Sequence, residues 1–273
     1  MGFLKVTEKY KKEKNLMKNL LKEKMINSEK VIGTFFELGG NTAVECLGIS
    51  GLDFFIIDTE HGPFDVESSM DFIRTAELRN ITPLVRIKDI SRSSVLKMLD
   101  IGAKGLIVPC VESIEQARNL VEWAKYYPLG KRGFFMARPA GYGHEDFSQN
   151  IDEYFNICNQ ETLLILQCET MECFENIEDI VNIEGVDGIF IGPYDLSIGM
   201  GIPAQFNNVQ FLQAIDRILK ACKDAKKFSF IYTGNNTAAK KYLADGFNGV
   251  AVNMDADIYI NAYKALISEV KGL

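Results

Sequence analysis

The chain has 273 residues, of which 47% are hydrophobic and 25% charged, and its formal net charge at pH 7 is −7. This length and composition are typical of one globular domain, and no apolar run approaches the ~20 residues that a membrane span needs. The acidic balance disfavours nucleic acid and anionic membrane surfaces as partners, so an anionic substrate would need a local cationic site.

The cysteines are scattered through the chain, and no two of them form a CxxC pair. This pattern favours reduced thiols over a disulfide framework or a zinc site. The first residues do not resemble a signal peptide either, so we expect a cytoplasmic protein. The cysteines are Cys46, Cys110, Cys158, Cys168, Cys173 and Cys222.

The first 30 residues are locally basic, and residues 11–25 (KKEKNLMKNLLKEKM) have the apolar spacing of a helix. A transit peptide would contain few acids, whereas Glu8, Glu13 and Glu23 lie in this region. We therefore predict a terminal helix that caps the domain, in preference to a membrane-binding or partner-binding helix.

From residue 31 onward, short β-rich apolar runs alternate with helical periodicity, which is typical of a parallel sheet covered by helices. The predicted strands span residues 31–38, 54–60, 82–88, 105–111, 162–169, 186–192, 228–234 and 249–255.

Helices are predicted between these strands, most clearly over residues 113–127 and 208–227, and residues 256–270 form the last one. Eight β/α units in a chain of this length favour a (β/α)8 TIM barrel over an open doubly wound sheet. The strands are nearly continuous apolar runs, and no glycine-rich dinucleotide fingerprint follows the first of them.

One connection is long, over residues 128–152, and it contains Arg132, Arg138, Tyr142 and His144 together with several glycines. Loops of this length inside compact domains are usually functional or disordered. We therefore predict that it forms a lid or an interface.

Polar residues follow the predicted strands at the end where barrels carry their active sites. The second strand ends in Asp58 and Glu60, followed by His61, and the third ends in Arg86 and Lys88. Because side chains two residues apart in a strand lie on the same face, Asp58 and Glu60 share a face, and so do Arg86 and Lys88.

The fifth strand ends in Gln167 and Glu169, and the sixth runs into GPYDLS with Asp195. Because adjacent strands bring Glu169 and Asp195 together, the two carboxylates would repel unless a divalent cation or a shared proton lies between them. The alternative is that one of them caps a helix N-terminus, and the residues alone leave both open.

His61 also has two interpretations. A lone histidine near a strand end is more often a hydrogen-bonded structural residue than a base. Asp58 favours the second role, because a carboxylate that holds an imidazole fixes its tautomer and raises its basicity. A structural ion-pair network with a nearby arginine is the remaining possibility.

Taken in order, the strand-end segments resemble the HpcH/HpaI family of metal-dependent pyruvate aldolases from about Met17 to the end of the chain. The segments are VIGTFFELGG, DFFIIDTEHGPFD, PLVRI, LDIGAKGLIVPCVES, YYPLGKRG, LLILQCET, VDGIFIGPYDLSIGMG and DGFNGVAVNMD. Each segment is modest evidence alone, whereas the ordered set is specific.

The resemblance implies a barrel domain over residues 17–273, preceded by an extension of residues 1–16. It also implies a homo-oligomer, a hexamer built as a dimer of trimers or a trimer, in which neighbours exchange the last helix. The implied activity is cleavage of 4-hydroxy-2-oxo acids, such as 2-dehydro-3-deoxy sugar acids or 4-hydroxy-2-oxo-heptanedioate, to pyruvate and an aldehyde.

The resemblance further implies a role for each site residue. Glu169 and Asp195 would bind the metal, Mg²⁺ or Mn²⁺ with Co²⁺ or Zn²⁺ tolerated, and Gln167 would support the bound 2-oxo acid. Arg86 would contact its keto oxygen, while His61 with Asp58 would move protons. The substrate carboxylate would meet backbone amides in the segment formed by Gly192, Pro193, Tyr194 and Asp195, and Asp100 would reach a neighbouring subunit's site.

Three positions depart from the family pattern, namely Lys88, Cys110 and the segment FSFIYTGNNT, and they bear on aldehyde specificity. Three other functions stay open. Lys88 could form a Schiff base, the loops after the last two strands could bind a phosphosugar, and a related lyase or synthase could act on oxaloacetate.

Overall fold

Eight parallel strands close into a barrel in the computed structural model, which describes residues 17–272. The strands follow one another around the barrel in chain order, and the last pairs with the first. The predicted (β/α)8 barrel is confirmed. The strands are β1 (Val31–Phe36), β2 (Phe54–Asp58), β3 (Thr82–Arg86), β4 (Gly105–Val108), β5 (Leu163–Cys168), β6 (Gly188–Ile191), β7 (Phe228–Thr233) and β8 (Gly249–Met254).

Helices cover the outside of the barrel, and two short 3-10 segments, Arg138–Gly143 and Asp146–Ser148, lie in the long connection after the fourth strand. The α-helices are α1 (Leu20–Ile26), α2 (Asn41–Ile49), α3 (Val66–Arg79), α4 (Arg92–Asp100), α5 (Ile114–Ala124), α6 (Ile151–Glu161), α7 (Met171–Glu175), α8 (Ile177–Val181), α9 (Pro193–Gly199), α10 (Val209–Asp224), α11 (Asn236–Asp245) and α12 (Asp255–Lys271).

The two faces of each strand pack into different cores. Side chains of one parity fill the barrel interior, for example Phe54 and Ile56 of β2. Those of the other parity, such as Phe55 and Ile57, pack against the surrounding helices. This alternation follows from the two-residue period of a strand, and it explains why the strands are apolar on both faces.

Helix α1 closes the barrel at the N-terminal ends of the strands, where Leu21 and Met25 join the interior core. Asn19 caps the helix by accepting the backbone N–H of Lys22 on its side chain. The helix therefore begins at Leu20, later than the sequence pattern predicts. Residues 1–16, the predicted extension, lie outside the described residues, so the proposed domain division stays a prediction.

The long connection lies at the same end as α1, because it follows a helix that runs back from the mouth of the barrel. Arg132 binds Asp100 at the end of α4, and Arg138 binds Glu77 near the end of α3. The connection therefore does not cover the mouth of its own barrel. The lid interpretation is wrong for this chain's own cavity, and the interface interpretation stays open.

Helix α12 confirms the predicted last helix, and most of it is exposed although it is rich in apolar side chains. Its exposed large apolar residues are Ile258, Tyr259, Ile260, Tyr263, Leu266, Ile267 and Val270. Between residues 17 and 272, no helix has both the length and the apolar character required to cross a membrane.

Candidate active site

A cavity of about 280 Å³ opens at the C-terminal ends of the strands. Its lining residues come mainly from the ends of the strands and from the loops that follow them, as expected of a barrel enzyme. They are Phe35, Glu37, Asp58, His61, Arg86, Gln167, Phe190, Gly192, Pro193, Tyr194, Asp195, Tyr232 and Met254.

Asp58 and Arg86 form a buried ion pair on one side of this cavity. They are register partners on β2 and β3, and Arg86 donates from Nε to Oδ1 at 2.9 Å and from Nη2 to Oδ2 at 2.5 Å. Burial alone would raise the pKa of Asp58, but hydrogen bonds and positive charge from Arg86 lower it below its usual value. The pair therefore stays ionised.

This geometry corrects the predicted pairing of Asp58 with the imidazole of His61. Both Asp58 oxygens bind Arg86, and Asp58 meets His61 only through the backbone N–H, at 3.4 Å. The physical reason is that a planar guanidinium matches a carboxylate with two parallel hydrogen bonds, which a single imidazole N–H cannot do. The ion-pair alternative is the one observed.

Glu60 is the carboxylate nearest the imidazole, with Oε2 4.0 Å from His61 Nε2 and 3.2 Å from Arg86 Nη1. Burial raises the pKa of Glu60, and the charge of Arg86 opposes this effect. The side chain of His61 is 72% exposed at the rim of the cavity. His61 is therefore reachable by substrate and solvent, and its acidic neighbour is Glu60.

Glu169 lies buried beside the cavity, close enough to Arg86 to feel its charge. Its Oε1 accepts the backbone N–H of Cys110 at 2.8 Å, and its Oε2 accepts a hydrogen bond from Gln167 Nε2. Cys110 has φ +54°, so the chain turns sharply here and aims its amide at the carboxylate. Burial raises the pKa of Glu169, and the charge of Asp195 adds to this effect.

Gly192 lines the cavity and packs directly against Glu169 and Gln167. A Cβ at this position would lie 2.6 Å from Glu169 Oε2 and 3.0 Å from Gln167 Nε2, so only glycine lets β6 end so close to these side chains. Gly192 is also the N-cap of α9, Pro193 is its first residue, and no side chain caps its first turn. The amides at Tyr194 and Asp195 consequently begin a helix at the cavity wall.

The oxygen atoms around Glu169 fit a hard divalent cation. Glu169 and Asp195 supply carboxylates, and Gln167 Oε1 is buried without a hydrogen-bond partner among the described residues. Within residues 17–272, no three His, Cys, Asp or Glu side chains are grouped as a complete metal site. The remaining ligands would therefore come from substrate or water, as in a catalytic site that keeps open positions.

The structure disfavours two of the alternative functions. Lys88 is exposed beyond the end of β3 and does not line the cavity, which disfavours a Schiff base. Helix α12, after β8, begins with Asp255 and Asp257 in its first turn, and their negative charges disfavour a phosphate site there.

Asp100 is also distant from its own chain's cavity. It is the last residue of α4, which returns to the N-terminal end of the barrel, and its carboxylate accepts a 2.7 Å hydrogen bond from the buried Arg132. Any contribution of Asp100 to catalysis must therefore be made in another subunit.

The sequence argument missed several residues that line the cavity, above all Glu37 and Tyr232. Both belong to the inward parity of their strands, two residues beyond Phe35 on β1 and Phe230 on β7. The same two-residue period that identified Arg86 and Gln167 could have identified them.

Comparison with known proteins identifies the family of this chain. Residues 32–262 match the family model described as HpcH/HpaI aldolase/citrate lyase. The chain is 32% identical to a 2-keto-3-deoxy-L-rhamnonate aldolase of Salmonella dublin, over 94% of this chain and 95% of that protein. It is 31% identical to a hydroxypyruvate/pyruvate aldolase of Roseobacter denitrificans, over 93% of this chain and 97% of that protein.

The fold is similarly close to that of a solved structure. The crystal structure of an HpcH/HpaI aldolase from Desulfitobacterium hafniense superposes with a TM-score of 0.87 at 27% identity, covering 93% of this chain and 98% of that one. The chain belongs to the HpcH/HpaI aldolase/citrate lyase family and is a carbon-carbon lyase of the aldolase type.

Proposed function

We propose that this protein cleaves 4-hydroxy-2-oxo acids to pyruvate and an aldehyde in a metal-dependent retro-aldol reaction. The observation that carries the proposal is that Asp195, Gln167 and the guanidinium of Arg86 line one cavity, with Glu169 hydrogen-bonded to Gln167 beside it. Both relatives compared above are named as aldolases, and hydroxypyruvate and pyruvate appear in one of those names.

Retro-aldol cleavage needs an electron sink at the 2-oxo group. When bound by Glu169 and Asp195, a divalent cation supplies Lewis acidity toward the oxygens of a 2-oxo acid. Gln167 supports this corner through its hydrogen bond to Glu169 and can turn its unpaired Oε1 toward a ligand. Hard oxygen donors suit Mg²⁺ or Mn²⁺ best, with Co²⁺ or Zn²⁺ tolerated.

Arg86 adds positive charge where the enolate oxygen develops its negative charge. Its guanidinium is fixed by Asp58 through two of its nitrogens and lies 4.9 Å from the centroid of the Phe35 ring. A group held this firmly does not reorganise during the reaction. Asp58 is thus proposed as the residue that orients Arg86, and its catalytic role acts through that arginine.

His61 is proposed to take the proton of the 4-hydroxyl group as the bond between C3 and C4 breaks. The electrons of that bond become the enolate of pyruvate, and protonation at C3 completes the product. Glu60, with Oε2 4.0 Å from His61 Nε2, takes the supporting place expected for Asp58.

The carboxylate of the 2-oxo acid is proposed to bind at the first turn of α9. Gly192 and Pro193 begin this turn, and the amides of Tyr194 and Asp195 follow without a capping side chain. Uncapped amides at the start of a helix are favourable hydrogen-bond donors for an anion. The substrate would then span from this turn toward the rim at His61.

We further propose that the protein is a homo-oligomer, a hexamer or a trimer, acting on small molecules in the cytoplasm. The exposed apolar side chains of α12 support exchange of this helix between neighbours. Asp100, which lies at the opposite end of its own barrel, would then serve the site of a neighbouring subunit. Its cysteines are all free, which suits a reducing compartment.

The proposal is tested by measuring pyruvate release from a panel of 4-hydroxy-2-oxo acids, with Mg²⁺ or Mn²⁺ and with chelator. We expect release from at least one member, loss of activity with chelator and its return when metal is restored. Failure of the whole panel with metal present would favour a lyase or synthase acting on oxaloacetate. Turnover that is insensitive to chelator, together with a covalent pyruvate adduct trapped by borohydride, would favour a Schiff base instead.

A further inference from the structure

One side of the cavity is lined by aromatic rings that have no part in the proposed bond-breaking steps. Phe35 lies with its ring centroid 5.7 Å from that of Tyr232 and 6.0 Å from that of Phe190. Tyr232 in turn lies 6.2 Å from Tyr194, so the aromatic rings form a continuous surface. This aromatic wall extends from Tyr194, next to the proposed metal ligand Asp195, to Phe35 on β1. It offers an apolar surface for the aldehyde portion of a substrate.

Glu37 is the charged residue that ends this wall. It is the first residue after β1, and its backbone N–H donates to Asp255 Oδ1 at 2.8 Å, which fixes the chain at this point. Its side chain returns over the cavity, where a Cβ added to Gly62 would lie 3.2 Å from Glu37 Oε2. Burial raises the pKa of this carboxyl group, and the nearby Asp58 adds to the effect.

Among the described residues, no arginine or lysine forms an ion pair with Glu37. Among the described residues that line the cavity, Arg86 is the only arginine or lysine. Its Nε and Nη2 bind Asp58, and its Nη1 lies 3.2 Å from Glu60. Because Arg86 is already committed to Asp58 and Glu60, a second negative charge on the substrate would meet Glu37 with no lysine or arginine left to pair with it. Like charges placed together in this way strongly disfavour binding.

A hydroxyl group, by contrast, can donate a hydrogen bond to Glu37 while the carbon chain packs against Phe35 and Tyr232. Flat aromatic surfaces beside polar acceptors suit chains with alternating apolar and hydroxyl faces. A single residue, Glu37, can therefore discriminate between an aldehyde portion that ends in a carboxylate and one that carries a hydroxyl group.

We propose that Glu37 selects substrates whose aldehyde portion is uncharged and carries hydroxyl groups, and that it rejects portions ending in a carboxylate. This inference rests on the proposed function and narrows its substrate class. The substrates favoured are 4-hydroxy-2-oxo acids of the deoxy sugar acid type, and those disfavoured are dicarboxylic 4-hydroxy-2-oxo acids.

The test compares two aldehydes in the condensation direction, each with pyruvate and Mg²⁺ or Mn²⁺ at pH 8. Glyceraldehyde and tartronate semialdehyde differ only in a terminal hydroxymethyl group against a carboxylate. We expect the wild-type protein to favour glyceraldehyde in kcat/KM by about 10²-fold. Glu37→Gln keeps the shape but removes the charge, so it should reduce this preference by at least ~10-fold.

The matched control is Glu29→Gln, an exposed glutamate at the opposite end of the barrel, which should keep the wild-type preference. A wild-type protein that favours tartronate semialdehyde overturns the inference without any variant. An unchanged preference in Glu37→Gln, confirmed as folded by circular dichroism, also overturns it, because the selection would then come from another residue.

Exchange of the pyruvate methyl protons in D₂O, measured without aldehyde, separates this inference from the proposed function. Exchange together with a preference for the carboxylate-ended aldehyde overturns only the inference. Absence of exchange and of condensation with both aldehydes overturns the proposed function and the inference with it.

Discussion

Arg86 and Asp58 occupy partner positions on β2 and β3, and the guanidinium binds both carboxylate oxygens at 2.9 and 2.5 Å. The pair is nearly removed from solvent, with side-chain exposures of 11% and 1%. Because two nitrogens are committed to Asp58, the orientation of the third is fixed toward Glu60 and the cavity. The positive charge of the site is therefore placed by the strand register.

We expect Arg86→Lys to lower kcat/KM for pyruvate release by roughly 10²- to 10³-fold, mainly through kcat. A lysine keeps the charge but cannot form the two parallel hydrogen bonds, so its ammonium group would not be held beside the developing enolate. Steady-state kinetics with the best substrate of the panel measure this effect.

The matched control for this change is Arg217→Lys. Arg217 also binds a carboxylate through two of its nitrogens, which donate to the two oxygens of Glu178 at 2.8 and 2.6 Å. Its guanidinium lies 4.7 Å from the Phe174 ring centroid. It belongs to the outer helices, so its replacement should leave kcat unchanged. Equal losses in both variants would mean that Arg86 acts only through stability.

Much of the fold and part of the site could be predicted from the sequence because a strand has a simple period. All eight strands were identified, and the parity that places Phe54 and Ile56 inside the barrel also places Asp58 at its mouth. The predicted strands were too long at their C-terminal ends. Polar residues such as Lys88 continue the alternation after the ladder of hydrogen bonds has ended.

The choice of side-chain partner could not be predicted in the same way. Asp58 is three residues from His61 and 28 residues from Arg86, yet it binds the arginine, because the β2–β3 register brings the two side chains together. Proximity along the chain favoured the wrong partner. Glu37 was missed although the two-residue period places it on the inward face, because it follows the last residue of β1 and its neighbours along the chain suggest only the end of a strand.

A further prediction separates proton transfer from stabilisation of the enolate. His61→Gln should lower retro-aldol cleavage by about 10²- to 10⁴-fold, because no group would then accept the 4-hydroxyl proton. Decarboxylation of oxaloacetate reaches the same enolate by loss of CO₂ and needs no such base. We therefore expect His61→Gln to retain any decarboxylase activity of the wild-type protein, as followed by loss of oxaloacetate absorbance.

Glu169→Gln supplies the comparison for this experiment. It removes a proposed metal ligand, so it should abolish cleavage and decarboxylation together. Should His61→Gln lose both activities in parallel with Glu169→Gln, the histidine would be required for forming or holding the enolate, and its assignment as the base for the hydroxyl group would be wrong.

Metal binding itself should be visible in thermal unfolding without any turnover. A ligand present at 100 times its Kd stabilises the folded state by ~2.7 kcal/mol, so Mn²⁺ should raise the wild-type unfolding temperature measurably. Glu169→Gln should lose this increase, since its neutral amide is a weaker ligand than the carboxylate. Glu172→Gln, an exposed glutamate three residues away, should keep it. A full increase in Glu169→Gln would place the metal elsewhere.

Glu37 should also leave a signature in the pH dependence of stability. Burial, followed by the hydrogen bond and the charge of Asp58, raises its pKa from 4.5 to about 7. The folded state therefore holds this proton more tightly than the unfolded state does. The stabilisation that the bound proton gives to the folded state is complete below about pH 4.5 and is lost as the pH rises through about 7. The free energy of unfolding should consequently fall across this window for the wild-type protein more than for Glu37→Gln.

Urea denaturation at pH 5, 6, 7 and 8 measures this difference. The pKa values of Glu60 and Glu169 are raised as well, but both groups remain in the variant and largely cancel in the comparison. The pKa of Asp58 is lowered, so that group titrates below the window. The difference between the two proteins therefore isolates Glu37, and parallel curves for wild type and Glu37→Gln would mean that its carboxyl group titrates normally and is not constrained by Asp58.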